Sequence, residues 1–477
     1  MLFLFLQIPV AQITPPPEPQ RPPEIRIEEA VPAGGLQILE ELDPKQIIVA
    51  QEVRPLPGQL DAVPVFNSNS PEVVLTEGIL LSTFPPDGKA NPSAHLNFPF
   101  NGRFDIFSHH ISRGRTPEET RSLIQSILIQ NPSSSETVTL DIQQAATYLT
   151  RPDALFVELP AFVEDPLGRV FSGPGSRVVS DILRGRRQGN WPSVVKIPPG
   201  ESYLLMNLPI PIGSVVPSSN GRSTLIRAWS SAPVYVATLA MFAPRDEDGE
   251  ERLPTLEEWL NLLQTGTLAG PRDLAPTPPQ ATGGDVIYGR VAGVALGSEW
   301  RTQLTDQPNG DSLKIPAPGK AFSYGISLLP RGTFGTNQIQ SAKILARYSD
   351  TAYRAHGNYG VHYSLTLPLH NPTNQTQTVT LSIQTPIKED TLRGGVRFLD
   401  PPENRIFFRG TVRVRYTNDQ GLPQTRFVHL VQQRGQQGSP LVQLQMPGGD
   451  RRLVQVDLLY PPDATPPQVL TVQTMAK

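Results

Sequence analysis

The chain has 477 residues, with 41 Lys and Arg against 44 Asp and Glu, 52 prolines, 38 glycines and no cysteine. Cations and anions are interspersed, which excludes the basic stripe of a nucleic-acid binder. The lack of cysteine excludes thiol nucleophiles, thiolate metal centres, disulfides and a lipid-modified N-terminal cysteine. The length points to two cores of about 200 residues each. Proline, at roughly twice its usual level of about 5%, favours many short strands joined by turns.

In chain order, Leu2 to Ala11 reads as the tail of a secretory signal, an apolar run that ends in a small residue before Gln12 and lacks a basic leader. Residues 1–11 are therefore expected to be a signal-peptide remnant, and export follows from that reading. No later stretch approaches the ~20 apolar residues that span a bilayer, so no transmembrane segment is expected once the signal is removed. Residues 12–48 form a proline-rich spacer and edge segment, with six prolines between Thr14 and Glu24 and a strand-like Ile47-Ile48-Val49.

Residues 49–270 read as a first β-sandwich domain with helical insertions. Ser176 to Arg187 places Val178, Val179, Ile182 and Leu183 at helical spacing. The cluster Arg184, Arg186 and Arg187 at its end reads as a solvated helix terminus. Thr255 and Glu258 form a capping box for a second helix, with Leu256, Trp259, Leu260 and Leu263 on one face and Gly266 at its stop. Residues 271–284, with four prolines, read as a linker, and 285–477 as a second β-sandwich domain. There Arg409 to Tyr416 alternates arginine with valine and returns through Arg426 to Val431, a hairpin with one buried and one wet face.

One pattern is written twice. Asn131-Pro132-Ser133 leads into Thr137-Val138-Thr139-Leu140-Asp141-Ile142-Gln143, and Asn371-Pro372-Thr373 leads into Thr378-Val379-Thr380-Leu381-Ser382-Ile383-Gln384. A second pair keeps the order: Pro198-Pro199-Gly200-Glu201 before Leu204, and Pro447-Gly448-Gly449-Asp450 before Leu453. With apolar alternation on both sides of each Asn-Pro corner, the pattern predicts two hairpins of one design. The fold class expected is all-β, two tandem immunoglobulin-like β-sandwich domains with a few short peripheral helices.

Longer strings are more specific. Val53-Arg54-Pro55-Leu56-Pro57-Gly58-Gln59-Leu60-Asp61 through Val74, Ala94-His95-Leu96-Asn97-Phe98-Pro99-Phe100-Asn101-Gly102 through His110, Ala355-His356-Gly357-Asn358-Tyr359-Gly360-Val361-His362, and Arg451 through Pro462 resemble a cyanobacterial family classed as a domain of unknown function. The resemblance covers nearly everything from about residue 50 onward. It implies a periplasmic or extracellular location and brings no activity, cofactor or catalytic residue.

Constellations that carry chemistry are sparse. Asp246, Asp248 and Glu250, spaced around Gly249, are the calcium candidates, without the full loop of an EF-hand; the competing reading is an acidic solvent loop. His109 and His110 alternate to opposite faces of a strand, and His356 and His362 stand about 20 Å apart in extended chain. Tyr353, Tyr359 and Tyr363 surround a glycine-containing segment and suggest an aromatic platform for sugar rings. Tyr353, His356, Tyr359 and His362 are thus the ligand-binding candidates. No nucleophile elbow or phosphate loop is present.

These features lead to a non-catalytic, exported cell-envelope or extracellular protein acting by binding or assembly. Its expected partner is an envelope polysaccharide or another envelope protein, not nucleic acid. A carbohydrate-binding module and an uncharacterised hydrolase are the alternatives, the latter requiring a cleft with two carboxylates within about 10 Å.

Overall fold

The computed structural model describes residues 44–213, 215 and 217–476. The expected signal remnant and most of the spacer lie outside these residues. Among the described residues are 26 strands and two α-helices, and those from Pro44 onward form one compact unit. No described helix is long and apolar enough to cross a membrane.

The chain enters through β1 (Lys45–Val49) and β2 (Gln51–Arg54), then builds β3 (Pro64–Ser68), β4 (Val73–Val74), β5 (Gly78–Ser82) and the long β6 (Phe100–Arg113). It continues with β7 (Leu123–Gln130), β8 (Val138–Leu149), β9 (Phe162–Glu164), helix α1 (Pro174–Leu183), β10 (Val194–Ile197), β11 (Ser202–Ile210), β12 (Ser219–Phe242) and helix α2 (Leu256–Thr265). The second half adds β13 (Ala292–Leu296), β14 (Glu299–Gln303), β15 (Leu313–Lys314), β16 (Ala321–Ile326), β17 (Ala342–Arg347), β18 (Arg354–Ala355), β19 (His362–His370) and β20 (Gln377–Gln384). It ends with β21 (Val396–Asp400), β22 (Ile406–Thr417), β23 (Pro423–Gln433), β24 (Val442–Met446), β25 (Arg451–Leu459) and β26 (Gln468–Thr474).

Two sandwiches result, each with its own core. In the first, one layer runs β10-β8-β12-β6-β3-β13-β17-β18, and the other pairs β11 with β7 and β7 with the far end of β12. The 24-residue β12 serves both layers, turning between them at an irregularity from Ser230 to Val234 that contains Pro233. Ile106, Ile127, Ile129, Leu140, Ile142, Ile226 and Val236 fill the space between. In the second, β14-β19-β25-β22-β23-β9 faces β2-β16-β26-β20-β24. Leu365, Leu367, Leu381, Ile383, Val412, Val414, Val456 and Leu470 meet in its core.

The written repeat is a structural repeat, but its corners are not hairpins. β7 pairs with β11 and β8 with β10; likewise β19 pairs with β25 and β20 with β24. Each Asn-Pro corner, and each Pro-Gly corner after it, therefore carries the chain from one layer across to the other. Alternation at period two states that one face is buried and leaves open which strand lies alongside.

Matching asparagines join each pair of corners. Asn131 Nδ2 donates to the carbonyls of Glu136, Ile197 and Pro198, and Asn371 Nδ2 to those of Gln375, Met446 and Pro447, all within 2.7–3.0 Å. The Asn131 and Asn371 amides donate to Glu201 and Asp450 carbonyls in turn.

The sheets do not follow a division at 271–284. β13 pairs with β3 and extends the first sandwich, whereas β9 pairs with β23 and β2 runs parallel to β16 in the second. β16 lies between β2 and β26, the first and last strands of that layer in chain order. Bringing distant strands together this way buries edges that two separate sandwiches would expose.

Of the helices, α2 is peripheral. It carries the Thr255/Glu258 capping box and buries Trp259 and Leu263, while Leu256 and Leu260 remain exposed. Helix α1 is not peripheral: it packs on β8 and β12 from one sandwich and on β22 and β25 from the other, and its Val178, Val179, Ile182 and Leu183 are all buried. The arginine cluster after it is solvated at Arg186 and Arg187, which are exposed, while Arg184 is half-buried. Arg184 pairs with buried Asp165 and stacks on Phe427, Arg186 holds Asp181 and the Leu167 carbonyl, and Arg187 donates to the Ile142 carbonyl.

Candidate functional site

Strand alternation decides what lies outside each core. On β6 and β12, Phe104, Ile106, Ile226 and Ala228 point into the first sandwich, so Arg103, Asp105, Arg227 and Trp229 share its outer face. On β22 and β25, Val412, Val414 and Val456 point into the second core, so Arg413, Arg415 and Asp457 share that sandwich's outer face. Helix α1 lies against both outer faces, and Leu225, Phe107, Leu459 and its own apolar residues seal that part of the seam. Beyond the helix the seam becomes charged.

On the second sandwich His362 stands between two carboxylates, Nδ1 3.1 Å from Glu299 Oε1 and Nε2 3.3 Å from Asp457 Oδ1. The guanidinium groups of Arg413 and Arg415 both reach Asp457 Oδ2 at 3.2 Å, and Arg413 also donates to the Leu183 carbonyl at the end of α1. Burial alone would raise the pKa of Asp457; the His362 donor and the two arginines outweigh it and hold the carboxyl well below the usual range. Glu299 is likewise lowered, first by the His362 donor, against its burial, with Arg301 assisting.

On the first sandwich Arg103 Nη2 lies 2.6 Å from Asp105 Oδ1, and Arg227 Nε lies 3.6 Å from Oδ2. Burial lowers the Arg227 pKa, with Asp105, Glu299 and Asp61 close enough to oppose that electrostatically. The two banks thus share one field.

Exposure grades along the seam from Arg301, 68% exposed, and Trp229, 41%, at the rim to Asp457, 1%, at the floor. Several polar atoms there have no hydrogen-bond partner in the protein: Arg227 Nε and Nη2, Arg415 Nε and Gln144 Oε1. A cavity of about 10 Å³, lined by Asp105, Asn67, Ser298 and Asn358 among others, opens beside Asp105, room for a single water.

At the other end of α1, Asp463 sits against the helix start, close enough that a Cβ on Gly175 would meet its Oδ2 at 2.7 Å. Burial raises its pKa despite His109 and Arg409 nearby, and Oδ2 has no hydrogen-bond partner.

Of the residues singled out from sequence, His362 belongs to this arrangement and Tyr359 lines the cavity beside Asp105; the others lie apart from it. Tyr353 is covered by the Arg347 guanidinium at 3.9 Å. Tyr359 packs against Phe107 and both neighbouring cores, with its hydroxyl pushed up to about 12 by burial. Tyr363 is fully buried. Tyr359 and Tyr363 are absorbed into packing and the half-buried Tyr353 is capped by Arg347, so the three rings do not make one wet platform. His356 bonds Ser341 and stacks near Tyr288, its pKa lowered to about 4 by burial, and shares no partner with His362. His110 is buried against Ser68 and the Pro71 carbonyl while His109 bonds Ser223, on opposite faces as alternation requires.

Asp246 Oδ1 accepts the amides of Asp248 and Glu250, so that acidic segment is a turn holding itself together. Among the described residues no three His, Asp or Glu side chains are grouped to hold a metal ion.

Fold and seam together define an all-β protein of two sandwiches joined through exchanged strands and a buried helix. The chain belongs to the family described as protein of unknown function (DUF3370), whose model matches residues 51–474. No curated protein matches the chain.

Proposed function

We propose that this is a non-catalytic binding protein of the cell envelope or its exterior, and that it holds its partner on the outer face where Trp229 ends the charged seam. The observation that carries this reading is Trp229 itself. The chain has four tryptophans; Trp191, Trp259 and Trp300 are buried, and Trp229, 41% exposed, lies on an outer sheet face beside Arg103 and Asp141. A large ring in that setting offers contact area at low entropic cost, the property that binding surfaces use.

Two further features suit binding. The seam carboxylates Asp105, Glu299 and Asp457 are tied to arginines, which suits fixed anchors better than proton carriers. The exchanged strands and α1 tie both banks together, so a partner meets a preorganised surface. Export rests on the apolar run Leu2 to Ala11 and the proline-rich segment after it. Cell fractionation tests the location: full-length chain recovered from the cytoplasm would end the envelope reading, and recovery from the periplasm or medium is the expected result.

A further inference from the structure

We infer that the segment from Arg151 to Gly173 docks the protein on a phospholipid bilayer surface, with Leu155, Phe156 and Val157 at one contact point and Leu167 at a second. The inference goes beyond the Trp229 face and is independent of it.

The segment is a strap tied to both ends of α1. At the helix start the Gly173 amide donates to the Leu155 carbonyl, and Ser172 Oγ donates to the Val157 carbonyl and accepts the Val157 amide. The Phe156 ring lies directly on Gly173, where any Cβ would collide with it. At the helix end Arg184 donates to the Pro166 carbonyl and Arg186 to the Leu167 carbonyl. A helix of 10 residues is about 15 Å long, and the two points stand roughly that far apart.

Both points hold apolar side chains in water. Leu155, Phe156 and Val157 are each at least 45% exposed, and Leu167 is 61% exposed. Single exposed leucines are ordinary on a protein surface, whereas three large apolar residues in succession, on a backbone pinned by hydrogen bonds, mark a contact area.

Charge and area choose the occupant. Arg151, Arg169 and Arg177 of the strap are in no ion pair among the described residues, and neither is Arg409, whose guanidinium lies 5.0 Å from the centre of the Phe156 ring. Of the strap's acids, Glu164 is held by Arg426 and Asp165 by Arg184, which leaves Asp153 and Glu158 without a cation. Guanidinium groups with donors to spare beside apolar tips suit lipid phosphates, which they meet through paired hydrogen bonds. Four partly exposed side chains cover far less than the ~800 Å² per partner of a stable protein pair. At a bilayer, insertion of a few apolar side chains together with attraction to anionic lipid is sufficient, and a broad surface meets both points at once.

The test is flotation of the full chain with vesicles of phosphatidylcholine, and with vesicles of phosphatidylcholine mixed with phosphatidylglycerol. Binding to the mixed vesicles is expected, several-fold tighter than to phosphatidylcholine alone and weakened by raising salt from about 50 to about 500 mM. Leu155→Ser combined with Val157→Ser should weaken it about tenfold. Arg169→Gln should weaken binding to the mixed vesicles about threefold and leave binding to phosphatidylcholine alone unchanged. Leu422→Ser, at an exposed leucine elsewhere, should change neither. All these positions are exposed, and thermal melting checks that the variants fold.

Equal binding by the serine pair would overturn the inference, because the apolar run Leu2 to Ala11 would then carry the vesicle affinity. Failure to float with either vesicle would overturn it as well, and a dimer in sedimentation that the serine pair abolishes would then assign the tips to a second copy of the chain. None of these results bears on the partner held at Trp229.

Discussion

The amides of Asn131 and Asn371 each have two hydrogens and three carbonyl acceptors within reach, so one hydrogen is shared. Both residues are fully buried, and removing either side chain takes from carbonyls of two different corners the donor they share, leaving Pro198 and Pro447 only the amides of Glu201 and Asp450. We expect Asn131→Ala and Asn371→Ala each to destabilise the fold by about 2–3 kcal/mol, the cost of orphaning buried polar groups. Urea midpoints that stay at the wild-type value would refute this. Equal effects in the two halves are the sharper expectation, because the partners match one for one.

Asp463 supplies a pH dependence with a definite sign. Burial raises its folded-state pKa, so its contribution to stability is complete below the ordinary carboxyl value of about 4 and is lost as pH rises through the higher folded value. At neutral pH its charge is a liability, made worse by an oxygen without a partner. Asp463→Asn should therefore raise the melting temperature at pH 7–8, with the gain shrinking toward pH 4. A gain independent of pH would show that charge is not the cause.

At the scale of elements, the strands themselves were legible, since Val, Ile and Leu at period two mark buried faces wherever the chain runs. Their pairing was not. Corners that cross between layers and corners that turn back within one layer have the same alternation on both sides, and what separates them here is the contact of Asn131 with Ile197 and Pro198, 66 and 67 residues on. Helix α2 could be read to the residue because its cap is local. Helix α1 could be read as a helix, and its placement could not: Val178, Val179, Ile182 and Leu183 supply one apolar stripe, yet even Ser176, Ser180 and Asp181 are buried. Asp181 is accounted for only by Tyr148 and Arg186.

The candidate site was the least legible part. Arg227-Ala228-Trp229 carries an alternation that could have flagged an exposed tryptophan, since Ile226 and Ala228 take the core positions. The tyrosines of the Tyr353 to Tyr363 segment drew notice instead because glycines surround them, and Gly360, at φ +82°, is where the backbone tucks that segment against Leu225.

For the whole molecule, the exchange of strands between halves has a thermodynamic signature. β13, β17 and β18 complete the first sandwich, β2 and β9 complete the second, and α1 packs on both. Neither half retains its sheets when separated, so calorimetry should record one unfolding transition. Two resolved transitions would refute this. A protease cut in the exposed segment 280–285 should leave both fragments co-eluting until denaturant is added.

Gln51 and Gln473 are the partners of the same residue, Ala321, on its two sides, which puts them about 10 Å apart across the sheet. A tether fastened at 51 and another at 473 would leave from neighbouring points. Tension applied between them would prise the flanking strands away from Ala321–Ile326 one hydrogen bond after another, as an unzipping and not as shear. Pulled through these two points, the molecule is expected to yield at low force, strand by strand from that corner.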